Sequence, residues 1–310
     1  MWRISPISSS PPIANAYEPA WLPIATSHDT VGPVGMRNKR AECDRYVDAN
    51  GNRSSRKRHG SAVGAAVGAA LREERLLFAF QPVVCAATGK VDYFECLLRM
   101  RDDEGVIVSG AEFITIAEEL GWIGLIDRYV LRKTVQELAA DPQVRLGLNI
   151  SGITVCDRLW LRSLTSLLRH RCDIACRLVV EITETAALGE VAASARFVDT
   201  LRQAGCRVAL DDFGAGHTSL RYLQMLPVDI VKIDGSLVRN LANRPQTRIF
   251  LRHLLGLING LGSTTVAECV ENAADAALLR AEGVGYLQGH HLGRPTIGRI
   301  PLQMAERAVP

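Results

Sequence analysis

The sequence predicts an α/β protein whose main body is a closed (β/α)8 barrel of the TIM type with an antiparallel first strand. Three observations carry this. From Leu76 to Gly289, short apolar runs alternate with helix-length amphipathic stretches, the pattern of a parallel sheet covered by helices. Eight such runs match the strand number of a closed barrel. The alternative, an open doubly wound sheet, would carry a Gly-rich phosphate loop after its first strand, and none is present there. Finally, the first two runs are joined by Thr88-Gly89-Lys90, a turn too short for a parallel crossover.

Taken in order, residues 1–61 are rich in Ser, Pro, Asn and Arg without a sustained period, and read as a disordered or weakly ordered tail. The basic cluster Arg53, Arg56, Lys57 and Arg58 reads as solvated within it. The barrel domain occupies 62–310. A helix over Ala62–Arg75 leads into a strand at Leu76–Val84, which carries Pro82 near its end, and a second strand at Val91–Met100. Helices over Gly110–Leu120 and Leu125–Ala140 precede a strand at Arg145–Ser151, a helix over Asp157–Arg171 and a strand at Arg177–Thr183. A helix over Val191–Ala204 is followed by the strand opening at Val208 and a short helix over Ser219–Met225. The strand Asp229–Asp234, the helix Gln246–Leu261, the strand Thr264–Glu271, the helix Ala273–Glu282 and a last strand at Tyr286–Gly289 complete the series.

The eight cysteines include no CxxC pair, which argues against a disulfide framework or a zinc ribbon. No apolar run precedes Pro11 and Pro12 as a signal peptide would require, and none reaches the ~18 residues of a membrane span. These features predict a cytoplasmic, reduced protein with no transmembrane segment. A net charge of +3 is too small to argue for a nucleic-acid polymer as partner.

The chemistry centres on Val208-Ala209-Leu210-Asp211-Asp212-Phe213-Gly214-Ala215-Gly216, where an apolar run ends in two adjacent carboxylates and a glycine-rich turn. A lone Asp-Asp is more often a solvated loop than a site. Here, however, other strand ends carry similar groups: Glu95 and Arg99, Asn149, Glu181 and Glu184, Lys232 and Asp234, Glu268 and Glu271, and Gln288. In a barrel these ends converge on one mouth. Carboxylates gathered there without a cation would be costly to bury, so the group reads as a metal site. Its ligands are oxygen without histidine, which suits Mg2+ or Mn2+ rather than zinc. The surplus of carboxylates allows two cations ~3.5–4 Å apart, a pair suited to in-line displacement at a phosphodiester. Lys232 beside them suits orienting water or neutralising a phosphate oxygen.

The fragments FQPVV, ECLLR, AEELG, LNIS, EITET, DDFGAGHTSL, VDIVKID, AECVE and GYLQG occur in this order. With them, the chain from about Leu71 to Pro301 resembles the EAL-domain family of bacterial cyclic di-GMP phosphodiesterases. The resemblance implies hydrolysis of cyclic di-GMP to linear pGpG with Mg2+ or Mn2+. It implies Glu95, Asn149, Glu181 and Asp211 as ligands of a first metal, with Asp211 bridging to a second held by Asp212 and Glu268. Lys232 would hold the attacking water as the base-side residue, and Lys232, Glu268 and Asp212 would form the catalytic group. Gln81, Arg99, Gln288 and Asp234 would contact substrate. Glu184 would support the loop after the Asp-Asp strand, with Glu271 in a supporting role, and the family implies a homodimer.

Four positions depart from the family pattern: Cys96 for Ala, Thr115 for Pro, His217 for an aromatic, and Cys269 for Gly next to Glu268. Strand alternation points Cys96 away from the face of Glu95. A Gly needed for φ > 0 at position 269 would make its replacement a strain on the neighbouring ligand. Two other readings stand beside the enzyme: a catalytically silent cyclic di-GMP receptor acting through a protein partner, and a different metal-dependent barrel enzyme.

Overall fold

The computed structural model describes residues 53–215 and 223–298, and for 53–62 and Cys156 the backbone alone. Most of the expected tail, the start of the helix expected over Ser219–Met225 and His217 lie outside the described residues.

The first two strands, β1 (Leu76–Cys85) and β2 (Val91–Arg101), form the expected antiparallel hairpin, in register from Leu76 opposite Met100 to Val83 opposite Tyr93. The chain then alternates β4 (Leu146–Ile150), β5 (Leu178–Thr183), β6 (Arg207–Phe213), β7 (Ile230–Ile233), β8 (Thr264–Ala267) and β9 (Tyr286–Leu287). From β2 through β4 to β9 every successive pair is parallel. The ring closes because β1 pairs antiparallel with both β2 and β9. Closure leaves the eight ring strands without an exposed edge. Two short strands, β3 (Ile107–Ser109) and β10 (Thr296–Ile297), lie outside the ring on β2 and β1; they are too short to leave a period in the sequence.

Helices α2 (Gly110–Glu119), α3 (Ile123–Ala140), α4 (Arg158–Leu167), α7 (Val191–Gln203), α9 (Pro245–Gly260) and α10 (Ala273–Ala281) follow the expected order, with the short turns α5 (Cys172–Ala175), α6 (Glu184–Gly189) and α8 (Gly235–Val238) between them. The helix expected over Asp157–Arg171 stops at Leu167, and His170 has φ +61° before α5 begins. The expected strand Thr264–Glu271 also ends early, at Ala267, because Cys269 adopts φ +55°, which a strand does not accommodate. Its acidic residues therefore lie in the loop beyond the strand.

Two apolar layers result. Leu, Ile, Val and aromatic side chains on the outer face of the strands pack against the helices, with Trp160, Phe113, Leu131 and Leu201 fully buried. Cys96 joins this layer, as alternation requires. Inside the ring, Val83, Tyr93, Val179, Ala209, Ile230 and Val266 form a separate cluster that fills the barrel.

Helix α1 (Arg53–Arg72) begins at Arg53 rather than at Ala62. Its glycines set its distance from the barrel's helices. A Cβ on Gly68 would come within 2.8 Å of the Trp122 ring, and one on Gly64 would meet the Leu120 side chain. In an exposed helix Gly→Ala stabilises by about 1 kcal/mol. At Gly68 the sign is expected to reverse, because the added methyl overpacks Trp122. Gly68→Ala should lower the denaturation midpoint by the equivalent of about 1 kcal/mol, measured by urea unfolding.

Candidate active site

Every strand of the ring contributes to one polar layer, and the pleat dictates which residue. Side chains two apart on a strand share a face. Counting two residues on from the inner apolar layer leads from Tyr93 to Glu95, Val179 to Glu181, Ala209 to Asp211, Ile230 to Lys232, and Val266 to Glu268. The same step leads from Gly147 to Asn149 and from Tyr286 to Gln288; on the reversed β1 it runs backwards, from Val83 to Gln81.

Lys232 lies at the centre, with no exposed surface. Its Nζ is 2.6 Å from Glu181 Oε2, 2.9 Å from Glu268 Oε1, 3.1 Å from Asp211 Oδ1 and 3.3 Å from Glu95 Oε2. Burial alone would pull the ammonium down. Asp211, Glu181, Glu268 and Glu95 together outweigh it and hold Lys232 well above its ordinary value. As placed, the ammonium donates toward all four carboxylates.

Glu95 is the most heavily bonded carboxylate. Asn149 Nδ2 donates to its Oε1 at 2.5 Å, and Gln288 Nε2 donates to Oε2 at 2.6 Å. Gln288 also donates to Gln81 Oε1 at 3.3 Å, and Gln81 Nε2 donates to the Gly293 carbonyl. Glu181 has no such support on its other side: its Oε1 is buried without a donor. Burial raises the Glu181 carboxyl first; Lys232 opposes this and the Glu95 and Asp211 charges add to it, leaving it at about 8. Glu268 is likewise pushed well up by burial, against Lys232 and with Asp211 and Glu95.

Adjacent residues on a flat strand face opposite ways, so Asp211 and Asp212 could not both reach the mouth without a break in the pleat. The break is a bulge. Leu210 pairs with Val231 but Phe213 pairs with Ile233, so β6 carries one residue more than β7, and Asp212 takes φ +58°. As a result Asp211, Asp212 and Glu268 each place a carboxylate oxygen within 4.8 Å of the others.

The remaining expected residues lie around this centre. Glu184 opens α6 and is buried; its Oε2 accepts from the Gly214 N–H at 3.1 Å, tying α6 to the turn that follows the Asp-Asp pair. Arg99 is half-buried on β2 and donates to the Leu98 carbonyl. Asp234 caps α8 through the Ser236 N–H. Glu271 stands outside the carboxylate group and pairs at 3.6 Å with exposed Arg239, which also donates to Cys269 Sγ. Sequence reasoning missed Gly147. A Cβ there would strike Glu181 Oε1 and the Tyr93 ring, so only glycine leaves that carboxylate room. The signal was present, since glycine inside a strand marks a close approach.

Four carboxylates thus share one ammonium, Asp212 stands beside them, and Glu181 Oε1 has no donor. The donor set is oxygen throughout. It fits one or more hard divalent cations, with Asp211, Asp212 and Glu268 the tightest group.

With this geometry in view, the chain was compared with known proteins. The model of the EAL domain matches residues 65–295. Cyclic di-GMP phosphodiesterase PdeB of Shewanella oneidensis is 34% identical over 232 residues, covering 73% of this chain and 27% of that protein. Cyclic di-GMP phosphodiesterase PdeF of Escherichia coli is 31% identical over 230 residues, with 73% and 30% covered. The chain therefore spans less than a third of the length of these relatives. Among solved structures, the FimX EAL domain of Pseudomonas aeruginosa bound to c-di-GMP superposes with a TM-score of 0.72 at 28% identity, covering 76% of this chain and 97% of that one.

Two outcomes follow from the site's strain and charge. Cys269 holds a left-handed backbone that costs an L-residue roughly 1–2 kcal/mol, so Cys269→Gly should raise stability by about 1 kcal/mol in urea unfolding. The second concerns pH. Between about 4.5 and about 8 the folded chain keeps a proton on Glu181 that the unfolded chain has lost. Its stabilising contribution is complete below the lower value and is lost as pH rises through the upper one. The urea midpoint of the metal-free protein should fall across that window, and Glu181→Gln should flatten the slope.

Proposed function

The chain belongs to the EAL-domain family, and from that premise we propose that it hydrolyses one phosphodiester bond of cyclic di-GMP to give linear pGpG. The observation that carries this reading is the convergence of four carboxylates on one buried lysine, with a fifth beside them, at the strand ends of the barrel. Two relatives carry the name of this activity, and the FimX domain holds c-di-GMP on the same fold. Two Mg2+ or Mn2+ ions, held by Glu95, Asn149, Glu181, Asp211, Asp212 and Glu268, would supply the Lewis acidity for activating water and balancing charge on the phosphoryl oxygens.

The chain's own groups divide the remaining work. Lys232 presents N–H donors to the site, which orient a water and offset negative charge as it grows on the phosphoryl group. Asp212 and Glu268 are less enclosed than Asp211, Glu181 and Glu95, so they are the carboxylates able to exchange a proton with a reacting water. Water contributes its hydroxyl to phosphorus and its proton reaches the departing ribose oxygen, which balances the hydrolysis. Arg99, Gln81, Gln288 and Asp234 would be the groups that orient the dinucleotide. Glu184 and Glu271 steady the two loops that deliver carboxylates. A homodimer in the cytoplasm, joined near the turn held by Glu184, completes the reading.

Incubation with cyclic di-GMP and Mg2+ or Mn2+ should yield pGpG by chromatography, and EDTA should stop it. Glu95→Ala should lower turnover at least about 10²-fold while the circular dichroism spectrum is retained. Binding of cyclic di-GMP without product by the unaltered chain would instead assign it as a silent receptor.

A further inference from the structure

Asp127 is a buried carboxylate on α3 with no part in the reaction as described. Its Oδ2 accepts from the Ser151 N–H at 3.0 Å, from Ser151 Oγ at 2.8 Å and from Thr154 Oγ1 at 2.5 Å. Its own backbone carbonyl accepts from Trp160 Nε1 at 3.2 Å. The next residue, Arg128, pairs at 3.0 Å with Asp157, whose carboxylate caps α4. One turn of α3 therefore grips the whole connection from β4 to α4.

The place of this grip matters because of where β4 loses its neighbours. The last pair of β4 with β2 is Leu148 opposite Cys96, and its last pair with β5 is Ile150 opposite Ile182. Asn149 thus stands one residue beyond the β2 ladder and one residue before the end of the β5 ladder. The first backbone group after Ile150 is the Ser151 N–H, and Asp127 takes it. Asn149 in turn donates to Glu95, whose second oxygen faces Lys232. An ionised carboxylate accepts only, and has two oxygens to accept with. Here three donors from one loop meet on Oδ2, as expected of a fixed anchor.

The geometry points to Asp127 as a positioning residue, which holds Asn149 at the height where it orients Glu95 and so sets the site's affinity for a divalent cation. Its bearing on cation affinity rests on the metal reading given above; its bearing on Asn149 does not.

The test uses the full chain with two readouts: Mn2+ titration by calorimetry, and hydrogen-exchange protection of the Asn149 carboxamide in the metal-free protein by NMR. Partners of ligating residues are typically worth 10–100-fold in metal affinity, and Asp127→Ala is expected to weaken Mn2+ about tenfold and to strip protection from Asn149. Asp127→Asn, which keeps one acceptor oxygen, should recover part of both. In an Asn149→Ala background, Asp127→Ala should leave Mn2+ binding where Asn149→Ala alone put it. Unchanged protection and affinity in Asp127→Ala would overturn the inference. So would an equal loss of Mn2+ affinity with and without Asn149, since that is the mark of a purely structural role. A chain that binds no Mn2+ yet loses Asn149 protection on Asp127→Ala would uphold the positioning and overturn the metal reading instead.

Discussion

The site depends on a charge imbalance among largely buried groups. Four carboxylates lie within 3.3 Å of one buried ammonium, and a fifth stands beside them. One lysine cannot neutralise this set. Desolvation of ionised carboxylates costs several kcal/mol each, and only close opposite charges or hydrogen bonds recover it. The protein accordingly adds amide donors from Asn149 and Gln288 to Glu95, and it shifts Glu181 and Glu268 toward their protonated forms. What remains is an excess of negative charge, which suits the centre to a cation as its oxygen donors do.

The barrel makes that arrangement affordable by supplying rigidity from below. Glu95, Glu181, Asp211, Lys232 and Glu268 each stand two residues along the chain from a member of the inner apolar layer, so the site is the top layer of the barrel's own packing. Valines at 83, 179 and 266 with Tyr93 and Ile230 fix the level at which the carboxylates begin. The reversed direction of β1 does not disturb the layer; it only means that Gln81 precedes its apolar neighbour instead of following it. The loops then hold the carboxylates from above, with Glu184 on Gly214 and Asp127 on Ser151.

Much of this could be read in the sequence, for identifiable reasons. The eight ring strands and the hairpin reversal followed from apolar runs and from the short turn at Thr88-Gly89-Lys90. The strand-end residues were legible because polar groups at the ends of buried strands stand out against apolar runs. What could not be read was set by backbone conformation at single residues. Nothing local distinguishes Asp212 at φ +58° from an ordinary strand residue, so the bulge that turns two neighbours to one side is invisible in the string. Cys269 differs: the glycine it replaces in the family pattern pointed to a positive φ there, and the left-handed backbone that ends β8 at Ala267 bears this out. The short elements β3, β10, α6 and α8 were missed because two to six residues are too few to show a period.

The bulge at Asp211-Asp212 also sets folding against function. Without its extra residue β6 would pair with β7 in phase along its length, every residue would keep ordinary strand dihedrals, and the ring would close with less frustration. The acid pair would then be split between the two sides of the sheet. A population selected only for foldability would be expected to shed that residue. Its presence in the parallel part of the ring marks a position where local regularity gives way to the placement of two neighbouring acids on one side.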